Sequence, residues 1–243
     1  MAKVVIGVPS SDVWKSGFGL DLAGLVGVFT KTHPTQHQVA VVNAQISILP
    51  KGRMQLVQEA FKRDATHILF LDSDARFPTH TLDQLLAHDL DFVACNAVRR
   101  SFPCTPTTRN APGKIVWTMP DSYGLERVYD HVGLHTALIK MDVFKRVPQP
   151  WFAIPYLTQM TEYQGEDVWF CHKCLEAGVE IYVDHDLSQQ NRHVGTFDFT
   201  HQLAAMGRAE YEAEAAEVER KKREAEALAE RDAPQNVVEY ETL

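Results

Sequence analysis

A buried strand that runs directly into two carboxylates constrains this chain more than any other stretch. Residues 68–71 (ILFL) are large and apolar, and Asp72, Ser73 and Asp74 follow without a break. An apolar run of this length predicts a strand covered on both faces of a sheet. Ligands of open α/β sheets bind outside the carboxyl ends of the strands, so we expect the aspartates at a ligand site. The alternative is that they only begin a turn and cap a helix at 79–88.

A divalent cation is the ligand that suits two such carboxylates. Mg²⁺ and Mn²⁺ prefer hard oxygen ligands, and Mg²⁺ is commonly held by one or two carboxylates together with substrate phosphates. Asp72 and Asp74 are therefore expected to hold Mn²⁺ or Mg²⁺ next to a nucleotide.

Strands and helices alternate in the first part of the chain. Apolar runs predict strands at 3–9, 38–43 and 67–72, and apolar residues at helical spacing predict helices at 21–31 and 53–63. This alternation predicts a parallel sheet with right-handed crossovers, in which the Asp-x-Asp strand is the third.

Polar residues at two other places suggest contacts with a nucleotide. The loop after the first strand begins Pro9-Ser10, which is small enough for a base or ribose to approach the backbone. Arg53 opens the second predicted helix, where the helix dipole disfavours positive charge. Either a nucleotide diphosphate or a surface carboxylate is expected to hold its guanidinium.

The second part of the chain continues the α/β pattern. It predicts strands at 92–95, 115–117, 126–129, 136–139 and 180–184, with a short helix at 141–147. Residues 99–113 are rich in Pro, Thr and Arg, and a loop of this length suggests function or disorder. Glu166 and Asp167 begin a further helix after Gly165, where acidic residues also complement the helix dipole.

Composition limits the class of protein. The chain has 243 residues, a hydrophobic content of 45% and a formal net charge of −8, most of it within 208–243. The nearly neutral remainder neither requires nor excludes a nucleic-acid partner. No apolar run approaches the roughly 18 residues of a membrane span, and the N-terminus shows no secretory pattern. We therefore expect a cytoplasmic protein. The chain has four cysteines, which are too few for a disulfide scaffold at this length: Cys95, Cys104, Cys171 and Cys174.

Taken in order, these stretches resemble the GT-A glycosyltransferases, especially the small family-2-like enzymes of bacteriophages. The resemblance covers residues 3–195. The residues that carry it are Arg53, the run 68–74 with Phe77-Pro78, Gly165-Glu166-Asp167 with Phe170-Cys171, Ala177-Gly178, Val183-Asp184 and His193-Val194-Gly195.

The resemblance implies a fold and a domain organisation. The fold would be α/β, GT-A (Rossmann-like), with a mixed, mainly parallel sheet flanked by helices. Beyond the resemblance, residues 203–232 are mainly Ala, Glu, Arg and Lys, which predicts a long C-terminal charged helix. Residues 1–200 would form the glycosyltransferase domain, 201–233 the charged helix and 234–243 a tail. The helix could be solvated along most of its surface or could mediate a homo-oligomer. A phage-encoded protein would act in the host cytoplasm.

The resemblance also implies site residues. A metal-dependent transfer from a nucleotide sugar, such as a UDP-sugar, would place the cation on Asp72, Asp74 and His193. Asp167, with Glu166 as second choice, would be the base of an inverting reaction. The nucleotide sugar would contact Pro9, Ser10, Asn43, Arg53, Asp72 and Ser73.

Two positions depart from the family pattern. Asn43 stands where relatives often have a carboxylate that binds uracil, so the nucleobase is left open. His135 stands where relatives tend to have a second glycine. This histidine could narrow the donor pocket or supply a ligand within it.

The acceptor is also left open. Arg99, Arg100 and Arg109, with the apparently exposed Trp151, could contact it. The basic loop could receive a DNA backbone, with Trp117 nearby to stack a flipped base such as a hydroxymethylated pyrimidine. A polysaccharide, a lipid-linked glycan or a protein is the alternative acceptor.

Other classes of protein fit the sequence less well. A nucleotidyltransferase should have a Gly-rich basic loop after the first strand, and a haloacid-dehalogenase phosphatase should have its Asp-x-Asp there. A zinc module built on Cys171 and Cys174 lacks a usual spacing to the other cysteines. A non-catalytic nucleotide-sugar sensor or structural subunit with the same fold remains as the alternative from a different functional class.

Overall fold

The computed structural model describes residues 1–100, 104–112, 114–158, 161–195, 216–217, 219–224 and 226. The chain divides into two units, Met1–Gly195 and Thr196–Leu243, which are considered separately. In the second unit the described residues are helical and exposed, with ion pairs such as Arg220–Glu217 one turn apart. The rest of the predicted C-terminal helix and tail lies outside the described residues, so the domain boundaries and the oligomer contact stay predictions.

Strands and helices of the first unit follow the predicted order. The strands are β1 (Lys3–Ser10), β2 (Gln38–Gln45), β3 (His67–Leu71), β4 (Ala75–Arg76), β5 (Phe92–Ala94), β6 (Arg109–Ala111), β7 (Lys114–Ile115), β8 (Leu125–Val128), β9 (Thr136–Lys140), β10 (Tyr156–Leu157), β11 (Glu162–Tyr163), β12 (Ile181–Asp184) and β13 (Arg192–His193). The helices are α1 (Ser16–Thr32), α2 (Leu49–Lys62), α3 (Thr81–Ala87), α4 (Met141–Arg146), α5 (Glu166–Glu176) and α6 (His185–Gln190).

The central sheet is mixed but mainly parallel. Its strand order is β2-β1-β3-β9-β5-β12-β8. Five strands run in one direction, whereas β9 is antiparallel to β3 and β5, and β8 is antiparallel to β12. The predicted α/β fold with a mixed, mainly parallel sheet and flanking helices is confirmed. The antiparallel direction of β9 was not evident, because a buried apolar strand has the same sequence pattern in either direction.

Strand β3 separates two hydrophobic clusters. Ile68 and Phe70 face the cluster that includes α2, α4 and α5, whereas Leu69 and Leu71 face the one that includes α1 and α3. Because side chains alternate along a strand, the uninterrupted apolar run follows from burial on both faces. The run thereby fixes Asp72 at the edge of the core.

Several predicted features differ in detail. The helix expected at 53–63 begins at Leu49, because Pro50 fits its first turn, so Arg53 lies within the helix rather than at its start. The loop expected at 99–113 contains β6, which pairs with β7.

Cys171 and Cys174 are buried core residues. Among the described helices, none has the length and apolar character that a bilayer crossing requires.

Candidate active site

Backbone pairing brings the Asp-x-Asp turn and His193 together. The Asp72 amide donates to the His135 carbonyl across 3.0 Å, which ties the turn to the start of β9. The chain then enters β4, where Ala75 pairs with His193 of the antiparallel strand β13. The Val194 amide also donates to the Asp74 carbonyl at 2.9 Å. Residues more than a hundred positions apart therefore meet at the carboxyl end of β3.

Asp74, His135 and His193 form a group able to hold a metal ion. One potential ligand atom from each residue lies within 4.8 Å of the others. His193 Nε2 is 3.4 Å from Asp74 Oδ2, while Nδ1 lies 2.9 Å from the Val98 carbonyl. A carbonyl can only accept a hydrogen bond, so the proton resides on Nδ1 and the lone pair of the neutral ring on Nε2.

His135 supplies the strongest indication that this group binds something. Its side chain is buried, and Nε2 makes no hydrogen bond among the described residues. A buried polar atom without a partner is costly, and a metal ion would give it one. Burial lowers the pKa of His135 to about 4, so the ring is neutral at physiological pH and has a lone pair available.

The charges of the other two residues support the same use. Burial alone would raise the pKa of Asp74, but its hydrogen bond with His193 and the charge of Arg100 lower it overall. The pKa of His193 is raised, mainly by the hydrogen bond with Asp74. Asp74 is therefore ionised. A bound cation would replace the proton that His193 Nε2 carries when the ring is charged.

Asp72, by contrast, is directed to Arg53 and stands outside the metal-binding group. Arg53 Nη2 lies 3.0 Å from Asp72 Oδ1, and Arg53 Nε lies 3.2 Å from Glu166 Oε1. The guanidinium is 2% exposed. A nucleotide diphosphate and a carboxylate are the alternative partners expected for Arg53, and the structure shows it paired with two carboxylates. This ion-pair network joins the Asp-x-Asp turn to the N-terminus of α5.

Glu166 and Asp167 occupy different surroundings at that N-terminus. Glu166 is buried, and burial raises its pKa although Arg53 opposes the shift. Asp167 is partly exposed, and its Oδ1 accepts from the Val168 amide at 2.8 Å. Glu166 therefore pairs with Arg53, while Asp167 Oδ2 has no hydrogen-bond partner in the part of the chain that is described.

A cleft of about 370 Å³ connects these groups. Its walls come from α2, the Asp-x-Asp turn, the segment after β5, the β8–β9 connection, the start of α5 and β13. The lining residues are Leu49, Arg53, Asp72, Ala97, Val98, Arg99, Arg100, Thr107, Gly133, Leu134, His135, Glu166, Asp167 and His193.

The residues expected to contact the nucleotide stand at the ends of neighbouring strands. Val8 is paired with Asn43, and Ser10 Oγ lies 2.8 Å from Asn43 Oδ1. Pro9 is in the same strand, and the Ser73 carbonyl accepts from the Lys15 amide. Of the residues expected to contact the nucleotide, Arg53 and Asp72 line the cleft. The others are not among the lining residues and lie at the same edge of the sheet: Pro9, Ser10, Asn43 and Ser73.

The four residues expected at the acceptor are not brought together. Arg99 and Arg100 line the cleft, and Arg100 Nη1 is 2.7 Å from Asp74 Oδ2. Arg109 instead donates to the carbonyls of Pro106 and Thr108. The expectation of an exposed Trp151 is wrong, because its side chain is buried and its indole donates to two carbonyls at the end of α4.

Comparisons with known proteins do not identify a family for this chain. The solved structures that resemble it are only distantly similar. No protein-family model matches the chain, and no curated protein matches it. Among solved structures, A197 from STIV is 15% identical with a TM-score of 0.45, covering 83% of this chain and 100% of that one. S. aureus TarS is 15% identical with a TM-score of 0.46, covering 80% and 60%.

A third solved structure is a mutant of Drosophila β-1,4-galactosyltransferase 7 in complex with manganese, UDP-Gal and xylobiose. It is 12% identical with a TM-score of 0.43, covering 81% of this chain and 72% of that one. None of these likenesses identifies a family for this chain.

Proposed function

We propose that this protein is a metal-dependent glycosyltransferase that moves a sugar from a nucleotide sugar to an acceptor hydroxyl. The observation that carries the proposal is the convergence of Asp74, His135 and His193 beside a cleft that Asp167 also lines. A cation site at the edge of the cleft and a carboxylate within it are the two groups that such a transfer would use.

Mn²⁺ fits the three residues better than Mg²⁺ does. Imidazole nitrogens suit transition metals, whereas Mg²⁺ favours an all-oxygen environment. The unpartnered Nε2 of His135 is the atom that a metal would satisfy. When bound, the cation would stabilise the negative charge that develops on the departing nucleoside diphosphate.

Arginines of the cleft are suited to the diphosphate. Arg100 already contacts the metal-binding carboxylate, and Arg99 lines the same cleft. Guanidinium groups bind phosphate oxygens in a bidentate manner. We therefore assign Arg99 and Arg100 to the donor side rather than to the acceptor.

The remaining donor contacts are proposed from their position. Asp72, held by Arg53, would face the ribose. Pro9, Ser10, Asn43 and Ser73 would surround the base at the carboxyl ends of β1, β2 and β3. Uracil is the proposed base, which makes a UDP-sugar the proposed donor.

Asp167 is the proposed base of an inverting reaction. It would accept the proton of the acceptor hydroxyl as that oxygen attacks the anomeric carbon. Glu166 is less suited to this role, because its carboxylate is buried against Arg53. In this proposal Asp167 acts as the base, whereas Glu166 stabilises the site through its ion pair with Arg53.

The acceptor is proposed to be either a hydroxymethylated pyrimidine in DNA or a glycan. Exposed Trp117 and Lys114 next to the cleft-lining loop could serve a DNA strand through stacking and phosphate contacts. Binding to DNA that weakens steeply as salt rises would favour DNA, whereas unchanged weak binding would favour a glycan.

A thermal-shift panel tests donor and metal together. The protein is melted with UDP, GDP, CDP and dTDP, each with and without Mn²⁺, alongside Asp74→Asn. A ligand that binds only the folded state raises the melting temperature. We expect UDP to stabilise the protein in the presence of Mn²⁺ and Asp74→Asn to abolish the shift. Absence of any shift in the wild type would favour a structural subunit with this fold.

A further inference from the structure

A second group of metal-ligating side chains lies outside the cleft. It consists of Asp130 and His131, which follow β8, and His172 of α5. One potential ligand atom from each lies within 4.8 Å of the other two. The proposed transfer uses none of these residues.

The atoms of this group converge on one carboxylate oxygen. His172 Nε2 is 2.6 Å from Asp130 Oδ1, and His131 Nδ1 is 3.3 Å from the same oxygen. Yet Nδ1 of His131 is inaccessible to solvent and makes no hydrogen bond in the part of the chain that is described. One of the two imidazoles is thus left without the partner that a buried nitrogen requires.

The surroundings hold the three side chains in place. The backbone of His131 exchanges two hydrogen bonds with Arg109. On the other side, Gln164 Nε2 lies 3.1 Å from His172 Nδ1. The oxygen and nitrogen of a side-chain amide are interchangeable by a flip, so the Gln164 oxygen can accept a hydrogen bond from Nδ1–H of His172 and leave the Nε2 lone pair for a metal.

The charge of the group also suits a cation. Burial by itself would raise the pKa of Asp130, but the hydrogen bond with His172 and the close approach of His131 lower it overall. The nearby Arg109 guanidinium donates to the Pro106 and Thr108 carbonyls. Asp130 therefore presents an ionised oxygen to the two imidazoles.

We propose that Asp130, His131 and His172 form a second metal site, of the zinc class, that fastens the β8–β9 connection to α5. Two imidazoles and one carboxylate are a common set of three protein ligands for Zn²⁺, with a fourth position left for water. Asp130 and His172 are 42 positions apart in the chain. A metal between them would link two segments that each contribute to the cleft, through Gly133 and Asp167.

This proposal does not depend on the glycosyltransferase assignment, and its test avoids activity altogether. The metal-binding group of the cleft is first disabled by Asp74→Asn together with His193→Gln, which gives the silenced protein. Bound metal is then removed with a chelator. Co²⁺, a spectroscopic substitute for Zn²⁺, is then titrated in while its ligand-field absorption is recorded.

We expect the silenced protein to bind one equivalent of Co²⁺, which Zn²⁺ displaces and Mg²⁺ does not. Adding His172→Gln should weaken Co²⁺ binding by at least about 10-fold, which is typical of substitutions around a metal site. His131→Gln should act in the same way, whereas His80→Gln at an exposed position should have no effect.

Two results would overturn the proposal. One is the absence of saturable Co²⁺ absorption in the silenced protein. The other is absorption that survives both His172→Gln and His131→Gln. Because His172 is 42% exposed, His172→Gln should leave the metal-free protein folded, with one cooperative melting transition, which separates loss of the site from loss of the fold.

Discussion

Arg100 Nη1 lies 2.7 Å from Asp74 Oδ2, the same carboxylate oxygen that His193 Nε2 approaches to 3.4 Å. A side-chain cation thus contacts the carboxylate that we assign to the metal. In the proposed site, Arg100 and the metal would compete for Asp74 until a diphosphate binds the guanidinium.

Substitution of Arg100 should consequently separate metal binding from nucleotide binding. Arg100→Ala is expected to tighten the binding of Mn²⁺ alone by up to about 5-fold, because exposed ion pairs contribute at most about 1 kcal/mol. The same variant should weaken UDP binding in the presence of Mn²⁺. Isothermal titration calorimetry measures both constants.

Arg99→Ala is the matched control, because Arg99 lines the same cleft. It should leave the affinity for Mn²⁺ alone unchanged. If Arg100→Ala also left it unchanged, competition between the guanidinium and the metal would be excluded.

The buried network around Arg53 should contribute strongly to stability. Arg53→Met leaves Glu166 buried without its partner, and breaking a buried ion pair typically costs about 3–5 kcal/mol. Urea denaturation should show a loss of that order. Adding Glu166→Gln to Arg53→Met should recover part of it, since the uncompensated charge is then removed. Full additivity of the two substitutions would show that the residues do not interact.

His135 should make the metal-free protein less stable in acid. Its pKa of about 4 in the folded protein lies below its ordinary value of 6.5, so between these values the unfolded chain binds a proton that the folded protein does not. The free energy of unfolding should therefore fall by about 3 kcal/mol from this residue as pH drops through that interval.

Urea denaturation in the presence of a chelator, at a series of pH values, measures this effect. His135→Gln should flatten the dependence relative to the wild type. Parallel curves for the two proteins would show that His135 titrates normally.

Substitution of Asp167 should affect catalysis, whereas substitution of Glu166 should affect stability. Asp167→Asn is expected to lower the turnover number by about 10² to 10⁴-fold, the usual contribution of a general base, while donor affinity stays the same. Glu166→Gln should instead lower the free energy of unfolding through Arg53. Steady-state kinetics and denaturation of both variants distinguish the roles. A larger kinetic loss in Glu166→Gln at unchanged stability would reverse the assignment.

The parts of this structure that the sequence predicts well are those with local causes. The apolar run of β3 and the acidic start of α5 are legible because period and capping depend on neighbouring residues. The ion pair between Arg53 and Glu166 joins positions 113 residues apart, and no local pattern indicates it. The sign in the sequence that Arg53 needs a partner is its positive charge at the predicted start of a helix, where the helix dipole disfavours it.

Residues whose function depends on burial were harder to foresee. The sequence shows that His135 replaces a glycine, but only the structure shows that Nε2 of this ring is buried with no hydrogen bond to any described residue. Trp151 illustrates the opposite error, since the sequence suggests an exposed aromatic residue after a proline, whereas its side chain packs on α4. Both outcomes depend on how distant elements pack.

Cleavage of a nucleotide sugar is the measurement that tests the central claim most directly. Release of nucleoside diphosphate is followed for UDP-, GDP-, CDP- and dTDP-sugars with Mn²⁺, with water or added DNA or glycan as acceptor. Asp74→Asn is compared with Asp12→Asn, an exposed aspartate that serves as control. We predict release from a UDP-sugar that requires Mn²⁺ and Asp74 but not Asp12. Release that is unchanged in Asp74→Asn, or absent with every donor although the wild type is folded, would contradict the assignment.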